Sequence, residues 1–279
     1  MDNFSLATAD RASDTRINAI FPSACHLSPA TCHYLYKMKI ALLGYGKMGK
    51  AIEKIAIHRG HTIVLKVDEH NSNPFPVDEL KKTDVAIEFS TPKTVVANII
   101  QCFTAGIPIV VGTTAWNDQM EFVATKCKEH DATIFHTSNF SLGVNLFFRL
   151  NQQLAKLMNP YPDYEVSMEE IHHIHKIDSP SGTGITIADG ILSNLDRKKL
   201  WKDYRDVAPS EIPADELPIV SKRTGEVPGT HSVTYSSAVD RIIITHEAFS
   251  REGFALGAVI AAEWLPKRKG IFGMNDLLG

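Results

Sequence analysis

Residues 39–49 read Lys39-Ile40-Ala41-Leu42-Leu43-Gly44-Tyr45-Gly46-Lys47-Met48-Gly49. After Lys39, four apolar residues make a short run of the length that a buried strand has. A Gly-x-Gly-x-x-Gly pattern follows at once, and apolar residues then recur at helical spacing through Ile52, Ile55 and Ala56. A strand, a glycine-rich turn and a helix in this order predict the first unit of a dinucleotide-binding sheet.

Each glycine of this pattern has its own expected role. Gly44 permits the tight turn, Gly46 lets the backbone approach a pyrophosphate, and Gly49 lets helix and strand pack closely. The helix N-terminus would present free N–H groups to the phosphates. We therefore expect the whole loop to bind the cofactor: Gly44, Tyr45, Gly46, Lys47, Met48 and Gly49.

An acidic residue closes the second predicted strand. Asp68 lies 24 residues after Gly44, and its carboxylate can accept hydrogen bonds from both ribose hydroxyls of NAD. Because Glu69 adds a second carboxylate that repels a 2′-phosphate, we expect NADH to be preferred. NADPH remains possible because three lysines could offset that repulsion: Lys47, Lys50 and Lys66. The alternative interpretation is a structural glycine turn with a solvated Asp68.

Strands and helices alternate along the first half of the chain. Further strands are predicted at 61–67, 85–89, 107–111 and 133–136, and helices at 94–103 and 119–130. This alternation predicts a parallel sheet with right-handed crossovers. Cofactor contacts are expected from two loops at strand ends, Gly112-Thr113-Thr114 and Thr137-Ser138-Asn139-Phe140, although ordinary turn chemistry is the alternative.

Beyond residue 145 the pattern changes. Helices are predicted at 144–158, 184–195 and 254–265, strands at 164–171, 219–223, 229–237 and 241–248, and an exposed excursion rich in Pro and charge at 203–217. Strands and helices are segregated here, as in an α+β domain. The predicted fold class is therefore α/β: a Rossmann-like parallel sheet domain plus a second α+β domain with an open mixed sheet.

Composition excludes several classes of partner. The net charge of −3 gives no bulk attraction to nucleic acid or to an acidic membrane surface, so an acidic substrate would need a local basic cluster. The apolar stretches are shorter than the roughly 20 residues that a membrane helix needs. The four cysteines have no paired spacing, which fits a reducing compartment, and we expect a cytoplasmic protein.

Residues 1–37 differ from the rest because they have no sustained period. They lack the basic start and the apolar core of a secretory signal. Two Cys-His pairs, Cys25-His26 and Cys32-His33, raise zinc as an alternative, but no supporting pattern surrounds them. We expect a disordered or mis-started leader, with the folded part starting at Met38.

An unusual basic segment lies in the second half of the chain. It reads His172-His173-Ile174-His175-Lys176-Ile177-Asp178-Ser179-Pro180-Ser181-Gly182-Thr183. Three His and one Lys within five residues can supply a proton and positive charge at neutral pH. The last three residues precede a predicted helix and can hold a carboxylate, so the segment predicts a site for a small dicarboxylic acid. The alternatives are a plain solvated loop and a zinc site of His172, His173 and His175, although no acidic or Cys partner is spaced to complete a metal site.

The segment resembles the signature of the 4-hydroxy-tetrahydrodipicolinate reductases, also called dihydrodipicolinate reductases. The resemblance covers Met38 to Gly279. It continues through Gly112-Thr113-Thr114, Asn139-Phe140-Ser141-Leu142-Gly143-Val144-Asn145, Gly229-Thr230-His231-Ser232-Val233, Thr245-His246-Glu247-Ala248, Arg251, Phe254-Ala255-Leu256-Gly257-Ala258 and Gly270-Ile271-Phe272-Gly273-Met274.

The resemblance implies an NAD(P)H-dependent oxidoreductase that reduces 4-hydroxy-tetrahydrodipicolinate to tetrahydrodipicolinate in lysine and diaminopimelate biosynthesis. It implies that His172 is a proton donor and acceptor and that Lys176 is the proton donor. Four residues would hold the substrate carboxylates: His173, Ser181, Gly182 and Thr183. It also implies a homotetramer built through the second sheet and a tail that returns to the first domain, so that residues 38–140 and 250–279 form the dinucleotide-binding domain and residues 141–249 the substrate domain.

Two departures from the family pattern stand out. The glycine loop is one residue shorter than is common in the family, and Ile174 stands where the family often has Arg, which removes positive charge near the substrate. The rival functions are another two-domain amino-acid dehydrogenase and a non-catalytic NAD-binding sensor. The His-His-x-His-Lys segment argues against the first. Against the second, a sensor would not need His172 and Lys176 together.

Overall fold

The structure is a computed structural model that describes residues 37–71, 75–250 and 252–279. The predicted leader with its two Cys-His pairs lies outside the described residues, apart from Lys37. Arg251, which belongs to the resemblance, lies outside them as well.

Six parallel strands form the first sheet. They are β1 (Lys39–Leu43), β2 (Thr62–Val67), β3 (Val85–Glu88), β4 (Ile109–Val111), β5 (Thr133–His136) and β11 (Gly270–Phe272). Their order across the sheet is β11-β5-β4-β3-β1-β2. The predicted parallel sheet is confirmed, and the tail adds a three-residue strand that the sequence pattern did not predict.

Helices cover both faces of this sheet. In chain order the helices are α1 (Lys47–His58), α2 (Val77–Leu80), α3 (Val95–Ala105), α4 (Met120–Glu129), α5 (Leu142–Met158), α6 (Gly182–Leu192), α7 (Glu252–Trp264) and α8 (Met274–Leu278). Successive side chains of β1 enter different cores: Ile40 and Leu42 pack with α1 and α7, whereas Ala41 and Leu43 pack with α2, α3 and α4. Burial on both faces explains why β1 is apolar from Ile40 to Leu43.

The second sheet has five strands. They are β6 (Glu165–His172), β7 (Leu200–Arg205), β8 (Glu216–Arg223), β9 (Gly229–Ser236) and β10 (Arg241–Ala248). Their order is β10-β9-β6-β8-β7, with β9 antiparallel to both of its neighbours and the other pairs parallel. Helices α5 and α6 pack on one face around Phe147 and Ile187, while Ser167 and Thr245 on the other face are exposed. The predicted open mixed sheet is confirmed.

One predicted element is wrong in part. Residues 203–217 were expected to form an exposed excursion, but β7 runs to Arg205 and β8 begins at Glu216, where Leu217 is fully buried. The edge strand β7 alternates between exposed and half-exposed residues, so its composition gives no strand pattern. Only the connection between β7 and β8 forms the irregular segment that its Pro and charged residues predicted.

None of the helices in the described part of the chain combines the length and the apolarity that crossing a bilayer requires.

Candidate active site

The turn after β1 has the predicted glycine geometry. Gly44 has a φ of +97°, and its N–H donates to the Val67 carbonyl at 2.8 Å. A Cβ on Gly44 would overlap the Phe89 carbonyl, and a Cβ on Gly49 would overlap the Gly44 carbonyl. Both positions therefore require glycine, the first for its backbone conformation and the second for the close approach of α1 to the turn.

The N-terminus of α1 is open to a ligand. Gly46 caps the helix with an extended backbone and no side-chain hydrogen bond, and a Cβ built on it meets nothing within 4 Å. A cavity of about 780 Å³, named here the dinucleotide pocket, lies beside this end of the helix. It is lined by Gly44, Tyr45, Gly46, Val67, Asp68, Glu69, His70, Phe75, Phe89, Ser90, Thr91, Thr94, Ala97, Asn98 and Gln101. The free amides of a helix N-terminus together with a carboxylate at the end of β2 fit a nicotinamide dinucleotide.

Some charged side chains around Asp68 are paired with other groups, and others are exposed to solvent. The Asp68 carboxylate accepts the His70 N–H at 2.9 Å and lines the pocket, and the Glu69 side chain is 87% exposed. Lys66 is held by Glu53 at 2.6 Å and by the Tyr45 hydroxyl at 3.2 Å. Hydrogen bonds from Lys66 and Tyr45 lower the pKa of Glu53, so the ammonium of Lys66 is paired with a charged carboxylate.

The predicted loop after β4 contacts residues that line the dinucleotide pocket. Thr113 is buried, and its hydroxyl accepts the Ser90 N–H at 2.9 Å, while Ser90 itself lines the pocket. A Cβ on Gly112 would strike the Phe89 ring. Thr114, by contrast, is exposed. The loop thus holds the Phe89-Ser90 turn, which is a contact that sequence spacing does not reveal.

A second cavity, of about 710 Å³, is named here the histidine pocket. It is lined by Thr137, Ser138, Asn139, Val144, Asn145, Phe148, Arg149, Gln152, His172, His173, Lys176, Ser181, Gly182, Thr183, Thr186, Pro228, Gly229, His231, His246, Ala248, Ser250, Phe254 and Asn275. All six residues predicted for catalysis and substrate binding are among them. Thr137, Ser138 and Asn139, predicted for the cofactor, lie here too, whereas Phe140 is buried beside Phe89 at 5.6 Å between ring centroids.

His172 ends β6 and is 6% exposed. Its ring packs edge-on against His231 with 5.0 Å between centroids, and its Nδ1 lies 3.7 Å from Glu170 Oε1. Burial lowers the pKa of His172, and the Glu170 carboxylate acts in the opposite direction. His172 therefore lies where burial favours the neutral imidazole and the charge of Glu170 favours the protonated one.

In the loop after His172, some side chains line the histidine pocket and others are exposed to solvent. Lys176 lines the pocket, and its ammonium contacts both oxygens of Asp178 at 2.8 and 2.9 Å. His175 is exposed and lies 3.0 Å from Glu226, and Ile174 is 58% exposed. His172, His173 and Lys176 thus line the pocket together, whereas the alternative zinc set would need His175 to turn inward.

Ser181 begins α6 and connects it to the sheet. Its N–H donates to both Glu170 oxygens at 3.0 Å, and its hydroxyl donates to Oε2 at 2.6 Å and accepts the Gly184 N–H at 3.0 Å. The next two amides, of Gly182 and Thr183, open the helix and therefore have no intrahelical acceptor. They are the groups of this turn that can receive an anion.

The sequence did not predict a role at this site for His231 and His246, which line the pocket, or for Glu170, which is fully buried beside them. They form one row across the second sheet, because Glu170 pairs with His231 and His231 pairs with His246 in the strand register. Burial lowers the pKa of His231 to about 3 and also lowers that of His246, so both imidazoles are neutral at pH 7. Both histidines belong to motifs of the resemblance, and that was the only signal that could have pointed to them.

Glu170, His172 and His231 also satisfy the spacing of metal ligands, since one atom of each lies within 4.8 Å of the others. The Glu170 oxygens, however, already accept hydrogen bonds from Ser181 and from the Arg223 guanidinium, the latter at 3.2 Å. A cation would have to displace a resident positive charge. We therefore interpret the group as a hydrogen-bonded and charged network.

Comparison with known proteins gives matches along most of the described region. Models of dihydrodipicolinate reductase match residues 38–140 (N-terminus) and 143–278 (C-terminus). The 4-hydroxy-tetrahydrodipicolinate reductase of Christiangramia forsetii is 51% identical over 245 residues, which is 86% of this chain and 98% of that protein.

A solved structure shares the fold. It is the dipicolinate-bound dihydrodipicolinate reductase from Paenisporosarcina sp. TG-14, with a TM-score of 0.66, 21% identity, and coverage of 85% of this chain and 98% of that chain. These matches confirm the resemblance carried by the His-Lys segment, and the chain belongs to the dihydrodipicolinate reductase family.

Proposed function

We propose that this chain reduces 4-hydroxy-tetrahydrodipicolinate to tetrahydrodipicolinate with NADH as its preferred cofactor, and that the histidine pocket holds the substrate. Membership of the family makes the chain an oxidoreductase with a nicotinamide dinucleotide site. The observation that carries the proposal is that one pocket collects His172, His173, Lys176 and the N-terminus of α6 beside Thr137, Ser138 and Asn139 of the first sheet.

The substrate carries two carboxylates, and the pocket offers matching donors. Gly182 and Thr183 present the free amides of α6, and the Thr183 hydroxyl adds a donor from the same turn. His173 lines the same pocket and has a buried Nδ1. Ser181 belongs to the same turn, but its N–H and its hydroxyl both donate to Glu170, so one of them would have to turn to the substrate on binding. We propose that these four residues bind the carboxylates.

The chemistry requires a proton as well as a hydride. The bound nicotinamide would supply a hydride to the ring, while the 4-hydroxyl leaves as water and a proton is consumed. Negative charge that builds on the conjugated ring must be quenched by a nearby acid. Lys176 lines the pocket as an ammonium, and His172 lies beside it at the end of β6. We propose Lys176 as the proton donor and His172 as the proton donor and acceptor.

The charges beside the ribose site support a preference for NADH. Asp68 and Glu69 line the dinucleotide pocket and would repel a 2′-phosphate. Lys66 was expected to offset that repulsion, but its charge is paired with Glu53. Lys47 and Lys50 are exposed on α1 and leave NADPH as a weaker cofactor. We also propose that the cofactor contacts the predicted residues of the glycine loop and of the loops after β4 and β5.

The proposed domain boundaries follow the two sheets. Residues 38–140 and 250–279 form the dinucleotide-binding domain, since β11 pairs with β5 and α7 packs on the first sheet. Residues 141–249 form the substrate domain. The exposed face of the second sheet, where Ser232 and Thr245 are joined at 2.9 Å, is the surface that a homotetramer would cover. Light scattering should then give a mass four times that of the chain.

The test is an assay of NADH oxidation with freshly prepared substrate. We expect turnover by the wild type, and losses of roughly 10²–10⁴ in kcat for His172→Ala and for Lys176→Ala, with NADH binding unchanged. Thr183→Ala should mainly raise the substrate KM. His175→Ala is the matched control, because His175 belongs to the same loop but points to solvent. A protein that binds NADH but does not oxidise it would be a sensor, and full activity in both single variants would remove the segment from the mechanism.

A further inference from the structure

Glu170 is a carboxylate with no exposed surface in the middle of the second sheet. Its cross-strand neighbours are Ser221 on β8 and His231 on β9, so it occupies the centre of the polar row that faces the histidine pocket. An uncompensated carboxylate at such a position would be strongly unfavourable. The groups that stabilise the buried carboxylate therefore indicate the role of Glu170.

Four donors hold the carboxylate. The Ser181 N–H and hydroxyl lie at 3.0 and 2.6 Å, the Ser221 hydroxyl at 3.3 Å and the Arg223 guanidinium at 3.2 Å. Gly184 completes the arrangement, because a Cβ there would lie 2.5 Å from Glu170 Oε2. Glu170 thus ties the first turn of α6, which presents the Gly182 and Thr183 amides, to the sheet.

The same carboxylate faces two imidazoles without a direct hydrogen bond to either. Oε1 lies 3.7 Å from His172 Nδ1, and Oε2 lies 3.8 Å from His231 Nε2. At these distances the carboxylate acts on His172 through charge. The other charged or titratable groups around this pair come from the loop, from β8, from β9 and from β10: Lys176, Asp178, Arg223, His231 and His246.

We infer that Glu170 is a positioning residue with two effects, since it fixes the Ser181 turn that receives a substrate carboxylate and its negative charge keeps His172 able to carry a proton. The inference rests on the proposed role of His172. Burial alone would lower the pKa of His172, and of the surrounding groups Glu170 opposes that change most strongly. Lys176 and Arg223 act in the same direction as burial.

Two variants separate the two effects. Glu170→Gln keeps the size of the side chain and removes its charge, so the limb on which kcat/KM falls with rising pH should move to lower pH by about one unit. Glu170→Asp keeps the charge and shortens the side chain. It should leave that limb in place and raise the substrate KM roughly two- to tenfold, as expected for weakened hydrogen bonds to Ser181.

The matched control is Glu169→Gln. Glu169 is the next residue of β6, points to the other face of the sheet and binds Lys222 at 2.5 Å. Its variant removes the same charge from the same strand and should reproduce the wild-type pH profile. If Glu169→Gln moves the limb as far as Glu170→Gln, the effect is a general charge effect and the inference is overturned.

A third variant keeps the inference testable if Glu170→Gln does not fold. Arg223→Gln removes the cation beside Glu170, so the limb should move to higher pH. The test requires that His172→Ala abolishes the limb. Given that, an unchanged limb in Glu170→Gln overturns the inference. If Glu170→Gln does not fold, an unchanged limb in Arg223→Gln overturns it instead. If His172→Ala retains the limb, the proposed role of His172 fails first.

Discussion

At the end of β2 two neighbouring carboxylates, Asp68 and Glu69, line the dinucleotide pocket. Asp68 is positioned to accept ribose hydroxyls, and hydrogen bonds to a charged acceptor are worth about 1.5–3 kcal/mol. We expect Asp68→Ala to lower kcat/KM for NADH by roughly ten- to a hundredfold and to change that for NADPH much less. Steady-state kinetics with both cofactors measure the effect.

The neighbouring side chain provides the comparison. Glu69 is mostly exposed, so Glu69→Gln should relax the discrimination against NADPH without weakening NADH. A wild-type enzyme that prefers NADPH by tenfold or more, about 1.4 kcal/mol, would contradict the charge argument.

Residues close together in sequence were the ones that the sequence could identify. His172, His173, Lys176 and the Ser181 turn all lie within one short segment, and the structure brings them into one pocket. His231 and His246 could not be found in this way, because they join Glu170 and His172 only through the register of three strands. Register depends on the whole sheet and not on local spacing.

At the scale of elements, α7 packs against the backbone that follows β5. A Cβ on Gly257 would lie far inside the contact distance of the Phe140 carbonyl. Backbone cannot move away cheaply, so Gly257→Ala should lower the free energy of unfolding by about 1–3 kcal/mol or more. Chemical denaturation measures this loss.

Gly253 of the same helix is the control, since a Cβ there meets only the Ser141 hydroxyl at 3.7 Å. Gly253→Ala should leave stability unchanged or raise it by up to about 1 kcal/mol, because alanine favours a helix. Equal losses in the two variants would show that the close approach at Phe140 does not limit the packing of α7.

The strands buried on both sides were predicted, whereas the edge strands β7 and β11 were not. The inner strands β1, β3, β4 and β5 of the first sheet are buried on both sides and read as apolar runs. The edge strand β7 and the three-residue strand β11 carry little apolar signal, so their pairing comes from backbone hydrogen bonds to neighbours distant in sequence. The composition of residues 203–205 therefore predicts an exposed excursion, where the structure has the end of β7.

At the scale of the whole molecule, every residue of the two pockets lies between Gly44 and Asn275. The family matches begin at residue 38. Met38 joins the sheet through its carbonyl, which accepts the Thr62 N–H at 2.9 Å. A chain that begins at Met38 should therefore fold and keep kcat/KM within about twofold of the full chain, the range of changes away from a site.

Expression of soluble enzyme and the NADH assay measure this. A chain that begins at Leu42 is the control, because it lacks the first three of the five residues of β1 and should not fold. A large loss of soluble activity in the chain that begins at Met38 would mean that the preceding residues are structural.

The pH dependence of stability should reflect His231. Its pKa is lowered by burial from 6.5 to about 3 in the folded chain. Above pH 6.5 the imidazole is neutral in both states and contributes nothing. Between pH 6.5 and about 3 only the unfolded chain takes up the proton, so stability falls as the pH falls, by up to about 1.4 kcal/mol per unit. In His231→Gln this titration is lost. Denaturation at several pH values measures the free energy of unfolding of the wild type and of the variant. The two free energies should converge as the pH falls from 6.5 to 4, because the wild type loses stability faster. A constant difference between the two would contradict a neutral, buried His231.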